Sequence, residues 1–89
     1  MNDIESLLRQ RLAFLSPLQF ELTDDSALHA GHAGAREGGH YRLLIVSEQF
    51  TGLSRLRRHR IIYDALGELM RSRIHALSIR SLTPDETTP

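Results

Sequence analysis

Five histidines, at positions 29, 32, 40, 59 and 75, are the side chains of this sequence best suited to hold a borderline metal ion, because it contains no cysteine. The same absence removes disulfides, a thiolate nucleophile and any all-cysteine zinc or iron–sulfur site from what the chain can supply alone. His29 and His32 stand three apart in an Ala-Gly-rich stretch, and by spacing alone they fit zinc or an adventitious nickel ion equally well. His75 shares strand parity with Leu77 and Ile79, which reads equally as a sheet-rim histidine with a backbone hydrogen bond. His40 heads an apolar run and is the third choice as a ligand. His59 continues the stripe of Ile62 and Leu66 toward a helix start, the place of a packed structural histidine.

A second chemistry lies in Arg55, Arg57, Arg58 and Arg60, which crowd one short segment around His59. Such a patch can contact phosphates, or dock a partner's carboxylates through the guanidinium forks. The plainer reading is a solvated helical face with Arg60 paired to Asp64 at i,i+4 and Glu68 extending the row. All 11 basic residues are arginines, so Schiff-base chemistry and a P-loop lysine are excluded. The 11 acidic residues bring the formal net charge to +0, so any nucleic-acid binding must come from a local patch. There is no paired-carboxylate spacing, nucleophile elbow or HExxH, and Asp24-Asp25 reads as a strand-end turn. A catalyst is not expected.

The elements that must position these residues follow from periodicity. Ile4, Leu7, Leu8, Leu12 and Leu15 recur at helical spacing over 2–15, with Asn2 as N-cap, Glu5 as its reciprocal partner and a stop before Pro17. Leu18, Phe20 and Leu22 alternate with polar neighbours as a strand with one wet face, and a second strand runs over 40–47. Phe14 and Phe20 read as core. The connection 26–39 is far longer than a hairpin needs and is rich in glycine and histidine. Ser54 caps a second helical region with an apolar stripe of Ile62, Ala65, Leu66, Leu69 and Met70, and Gly67 bends or breaks it. Residues 74–82 return to strand character, and 83–89 form a polar, frayed tail.

With 89 residues, 40% hydrophobic and 25% charged, the chain makes one small globular domain over 1–89 with an ordered core about 2–82. No apolar run suits a signal peptide or a membrane span, and a cytoplasmic protein is the expectation. The crossover into the last strand favours a parallel, right-handed return onto the sheet, giving an α+β sandwich.

The run from Phe50 to Tyr63, with Phe50, Gly52, then Arg58-His59-Arg60 and Tyr63, resembles the signature of the BolA family, F-x-G followed by R-H-R-x-x-Y. His75 matches that family's C-terminal histidine, and the loop Asp25-Ser26-Ala27-Leu28-His29-Ala30-Gly31-His32 is similar to that of the histidine-loop members. The match covers nearly the whole chain to about residue 82. The resemblance implies a single domain of order α-β-β-α-α-β, class II KH-like, with a three-stranded mixed sheet, helices on one face and the second helical region split in two. It also implies a monothiol glutaredoxin partner in a heterodimer, and a [2Fe-2S] cluster shared with that partner and glutathione, with no cofactor when the chain is alone. Its ligands here would be His75 and His29 or His32, with His29 favoured by its place after Asp25-Ser26. Imidazole ligation requires the neutral ring, so cluster retention should weaken as pH falls through the histidine range near ~6.5. A DNA-binding role in transcription or stress response, through Arg55, Arg57, Arg58 and Arg60, is the competing implication, and a weak homodimer is left open. True KH domains clamp nucleotides with a GXXG loop, whereas Gly52-Leu53-Ser54-Arg55 keeps only the first glycine.

Overall fold

The computed structural model describes residues 3–25 and 39–87, so the expected Asn2 cap and the loop histidines His29 and His32 lie outside the described residues. The elements are α1 (Asp3–Arg11), β1 (Gln19–Asp24), β2 (Gly39–Val46), α2 (Arg55–Leu66), α3 (Leu69–Ser72) and β3 (Ile74–Leu82), with short 3-10 turns at Ala13–Leu15, Glu48–Phe50 and Pro84–Thr87. This is the expected α-β-β-α-α-β order of a small α+β domain.

One three-stranded sheet carries the fold in the order β1-β2-β3. β1 and β2 are antiparallel, with Phe20 opposite Ile45 and Leu22 opposite Leu43. β2 and β3 are parallel, with Leu43 opposite Ile79 and Tyr41 opposite Leu77. These apolar positions share the face that packs on the helices, where Leu8, Leu12, Ile62 and Leu66 are fully buried. The helices cover only that face, because a parallel return through α2 and α3 places both on the same side. The other face presents Glu21, Thr23, Arg42, Leu44, Ser78 and Arg80 around a shallow depression of about 450 Å3.

The first helix is shorter than its periodicity suggests. It ends at Arg11 and tightens into the 3-10 turn, and Ser16 adopts a left-handed conformation (φ 46) that turns the chain toward β1. The tightened turn rotates the side chains that follow, so Leu15 stays buried while Phe14, read as core, is 58% exposed. Leu18 is likewise exposed and precedes the strand, although its N–H still bonds the Val46 carbonyl at 2.7 Å. Arg11 ties this first unit to α2: its guanidinium donates to the Ala65 and Leu66 carbonyls and pairs with Glu68 at 2.6 Å, satisfying carbonyls that a helix end leaves open. Gly67 breaks the second helical region as expected, with a φ of 52 that a side-chain-bearing residue rarely adopts.

The segment expected as a frayed tail is instead held as far as Thr87. Thr83 is buried, and Glu86 reaches back both to the Thr83 N–H at 2.9 Å and to Arg58. The signal lay in Thr83, Asp85 and Glu86 themselves, which make an acidic turn facing the basic start of α2.

Candidate functional site

His75 owes its position to a local irregularity. Gly39 pairs with Ile74 and the next residue, His40, pairs with Ala76, so His75 is the extra residue of a bulge at the start of β3. The bulge separates His75 from the parity of Leu77 and Ile79. It lets Ile74 point into the core while His75 stands exposed at the sheet corner. There its ring lies against that of His40, with centroids 4.9 Å apart and planes inclined by 42°. The structure thus brings together His75 and the third-choice histidine, His40. The signal available in sequence was register: both residues open strands that run parallel side by side.

The same corner holds the two ends of the connection that carries His29 and His32. The Asp25 N–H donates to the His40 carbonyl at 2.7 Å, and the Gly39 N–H donates to the Arg73 carbonyl at 3.2 Å. Arg42 grips the Asp25 carboxylate with two bonds, at 2.6 and 3.3 Å, fixing the outgoing end. Asp25, His40, Tyr41, Arg42, Ala76 and Ser78 edge a depression of about 320 Å3 beside them. Burial, then the Asp24 charge, raises the Tyr41 phenol above its ordinary value, with Arg73 opposing. Among the described residues no group of three or more His, Cys, Asp or Glu side chains could hold a metal ion. The corner therefore offers an exposed imidazole beside a second one. An exposed imidazole suits one position of a mixed thiolate–imidazole site whose thiolates come from elsewhere.

The R-H-R segment divides by facing. Arg58 is turned inward, its side chain 9% exposed, and donates to the carbonyls of Leu53 (3.0 Å) and Ser81 (2.9 Å) and to both Glu86 oxygens (2.7 and 3.1 Å). Its guanidinium also sits 5.7 Å from the centre of the fully buried Phe50 ring. This takes Arg58 out of the basic patch and makes it a structural tie between α2, β3 and the last turn. His59 is half-buried, and its Nε2 is buried with no hydrogen-bond partner. Burial, followed by the Arg55 and Arg58 charges, holds its imidazole below the usual range, as the packed-histidine reading expects. The Tyr63 hydroxyl donates to the Leu77 carbonyl at 3.4 Å, and Gly52 takes the positive φ of 81 that the turn before α2 requires. Ser54 caps α2 as expected, accepting from the Arg57 N–H at 3.2 Å.

Arg55, Arg57 and Arg60 remain on the surface, and among the described residues none has an ion pair. The expected Arg60–Asp64 pair does not form, and Glu68 is taken by Arg11, whose hydrogen bond holds its carboxyl below the usual range.

A family model described as BolA-like protein matches residues 10–86. The chain belongs to the BolA family. Curated relatives of this BolA-like chain include SufE-like protein 1, chloroplastic/mitochondrial, of Arabidopsis thaliana, 45% identical over 81% of this chain and 21% of that protein. BolA-like protein 1 of Mus musculus is 40% identical over 91% of this chain and 58% of its own length. The DNA-binding transcriptional regulator BolA of Escherichia coli is 37% identical over 93% and 74%. The chain thus spans only about a fifth to three-fifths of the first two relatives. Among solved structures, the BolA domain of SufE1 from Arabidopsis thaliana superposes with a TM-score of 0.81 at 42% identity, over 97% of this chain and 98% of that one. BolA1 from the same plant gives 0.79 at 40% identity over 94% of each. No described helix is long and apolar enough to cross a membrane, and some relatives bear chloroplast or mitochondrial names.

Proposed function

We propose that this BolA-like chain is a non-catalytic cytoplasmic adaptor that pairs with a monothiol glutaredoxin and shares a [2Fe-2S] cluster with it, in cluster trafficking or iron sensing. His75 supplies one ligand and His29 or His32 the other, while the partner's cysteine and a glutathione thiol supply the rest. The observation that carries this reading is the bulge at β3, which leaves the His75 ring exposed at the corner where the histidine-bearing connection leaves and re-enters the sheet. When bound, the cluster supplies one-electron chemistry or is itself the cargo. His75 offers an imidazole nitrogen at the sheet corner, with the His40 ring against its own. The Asp25–Arg42 pair fixes where the connection departs.

The test is anaerobic reconstitution with a monothiol glutaredoxin and glutathione, followed by visible absorption and circular dichroism. The wild type should change the spectrum of the glutaredoxin homodimer. His75→Ala, or His29→Ala with His32→Ala, should restore it. A wild-type mixture whose spectrum equals that of glutaredoxin alone would sink the shared-cluster reading.

DNA-binding regulation is the second reading, favoured by Arg55, Arg57 and Arg60, which have no ion pair among the described residues, and by the name of the Escherichia coli relative. It is ranked second because Arg58 is spent inside the fold. Phosphate binding should fall steeply with rising salt, whereas ligand bonds to a metal should not.

A further inference from the structure

The outward face of α2 combines two features seldom left together on a small domain. At about 100° per residue, Arg57, Arg60 and Asp64 fall on the side opposite the buried Ile62 and Leu66, with Leu56 and Tyr63 on one flank. Leu56 is 62% exposed and Tyr63 39%. Arg9, Arg11, Arg42 and Arg58 each spend their charge on a carboxylate of this chain. Arg57 and Arg60 have no such partner among the described residues, although Asp64 stands one turn from Arg60. Between them, Leu53, Ile61 and Asp64 complete a groove of about 400 Å3.

The chemistry of an occupant follows from that lining. Two unpaired guanidinium forks one turn apart match carboxylates one helical turn apart. The exposed Leu56 and the Leu53–Ile61 floor call for apolar side chains interleaved with those carboxylates. A nucleic-acid backbone would satisfy the arginines, but it would leave Leu56 and the Leu53–Ile61 floor in water. Arginine and tyrosine are also enriched among the energetically dominant residues of protein contacts.

We infer that the outward face of α2 docks an acidic, amphipathic segment of a partner protein, with carboxylates on Arg57 and Arg60 and apolar side chains seated on either side of them, on Leu56 and on the Leu53–Ile61 floor. The surface uses none of the histidines of the β2–β3 corner, so it stands whether or not a cluster binds there.

The experiment is a peptide-display selection on the full chain, using a library restricted to acidic residues, leucine, phenylalanine and alanine. The Arg57→Glu, Arg60→Glu double variant serves as counter-bait. Enriched peptides are then synthesised and measured by fluorescence anisotropy, with polyglutamate and a DNA duplex as competitors. All substitutions are at exposed positions, and circular dichroism checks that each variant is folded. Binding should weaken by at least about tenfold in the double charge reversal and about threefold or more in Leu56→Ala, and should be unchanged in His75→Ala. Failure to enrich any peptide over the counter-bait would overturn the inference, as would binding indifferent to Leu56→Ala. If the DNA duplex binds in an Arg57- and Arg60-dependent way and displaces the peptides, the face belongs to nucleic acid instead.

Discussion

Replacing Arg58 by methionine keeps the unbranched apolar body of the side chain but removes every donor of its guanidinium. The carbonyls of Leu53 and Ser81 lose their partners in a region where Arg58 is 9% exposed and Ser81 is buried. A buried acceptor left without a donor costs about 1–3 kcal/mol. Two such losses, partly offset because a guanidinium no longer has to leave water, give a destabilisation of about 2–4 kcal/mol. A domain of this length has of the order of 5–13 kcal/mol in total, so the loss is a large fraction. It should lower Tm by at least about 8 °C. Urea unfolding followed by circular dichroism measures it directly, and the slope with urea should not change. The pH profile adds a second readout. Hydrogen bonds from Arg58, then from the Thr83 N–H, hold the Glu86 carboxyl down to about 2, from an ordinary 4.5. The folded value lies below the unfolded one, so this contribution is complete above the ordinary value and is lost as pH falls toward about 2. Arg58→Met should flatten the acid limb in that window. A loss under about 1 kcal/mol, or an acid limb parallel to that of the wild type, would refute the assignment of Arg58 as the tie between α2, β3 and the last turn.

Three further outcomes are expected. Ser47 is fully buried, donates to the Leu15 carbonyl at 2.5 Å and accepts from the Gln49 N–H at 3.0 Å; Ser47→Ala should therefore cost about 1–3 kcal/mol in urea unfolding, and a neutral result would show that those groups find other partners. A Cβ at Gly39 would collide with the Tyr41 ring. Gly39→Ala should push that ring outward and return its raised phenol toward 10.0, read by ultraviolet titration, and an unmoved titration would mean that the strand start yields instead. The His59 imidazole is held below the usual 6.5 with its Nε2 unpartnered, so its neutral form stabilises the fold above that value and the contribution is lost as pH falls through it. His59→Leu should make stability less sensitive to mild acid, and equal losses in both proteins below pH 6.5 would count against this.

Periodicity was a good guide wherever an element buries one face. The alternation of Phe20 and Leu22, the stripe of Ile62 and Leu66 and the break at Gly67 all lie where it puts them. It misled where the period changes locally. The 3-10 turn after Arg11 exposes Phe14, and the bulge at His75 takes that residue off the core-facing parity of Leu77 and sets it at the rim beside His40. Neither change has a signature in residue type, since a tightened turn and a one-residue insertion depend on which partners the backbone finds. The arginines show the same limit: four in a row of six look alike in sequence, and only the fold decides that Arg58 faces Glu86 while Arg57 and Arg60 face water.

The contact between His40 and His75 spans the whole crossover of α2 and α3, because the two strands it joins are parallel. Such a pairing has to absorb the entropy of closing a long loop before its own contacts repay it, which makes it a late event in folding. During synthesis the first imidazole emerges well before the second, and the chain must extend through α2 and α3 into β3 before the two can lie side by side. The corner therefore reports that β2 and β3 have paired. A partner that selects for it would ignore nascent and half-folded chains without any separate mechanism for telling them apart.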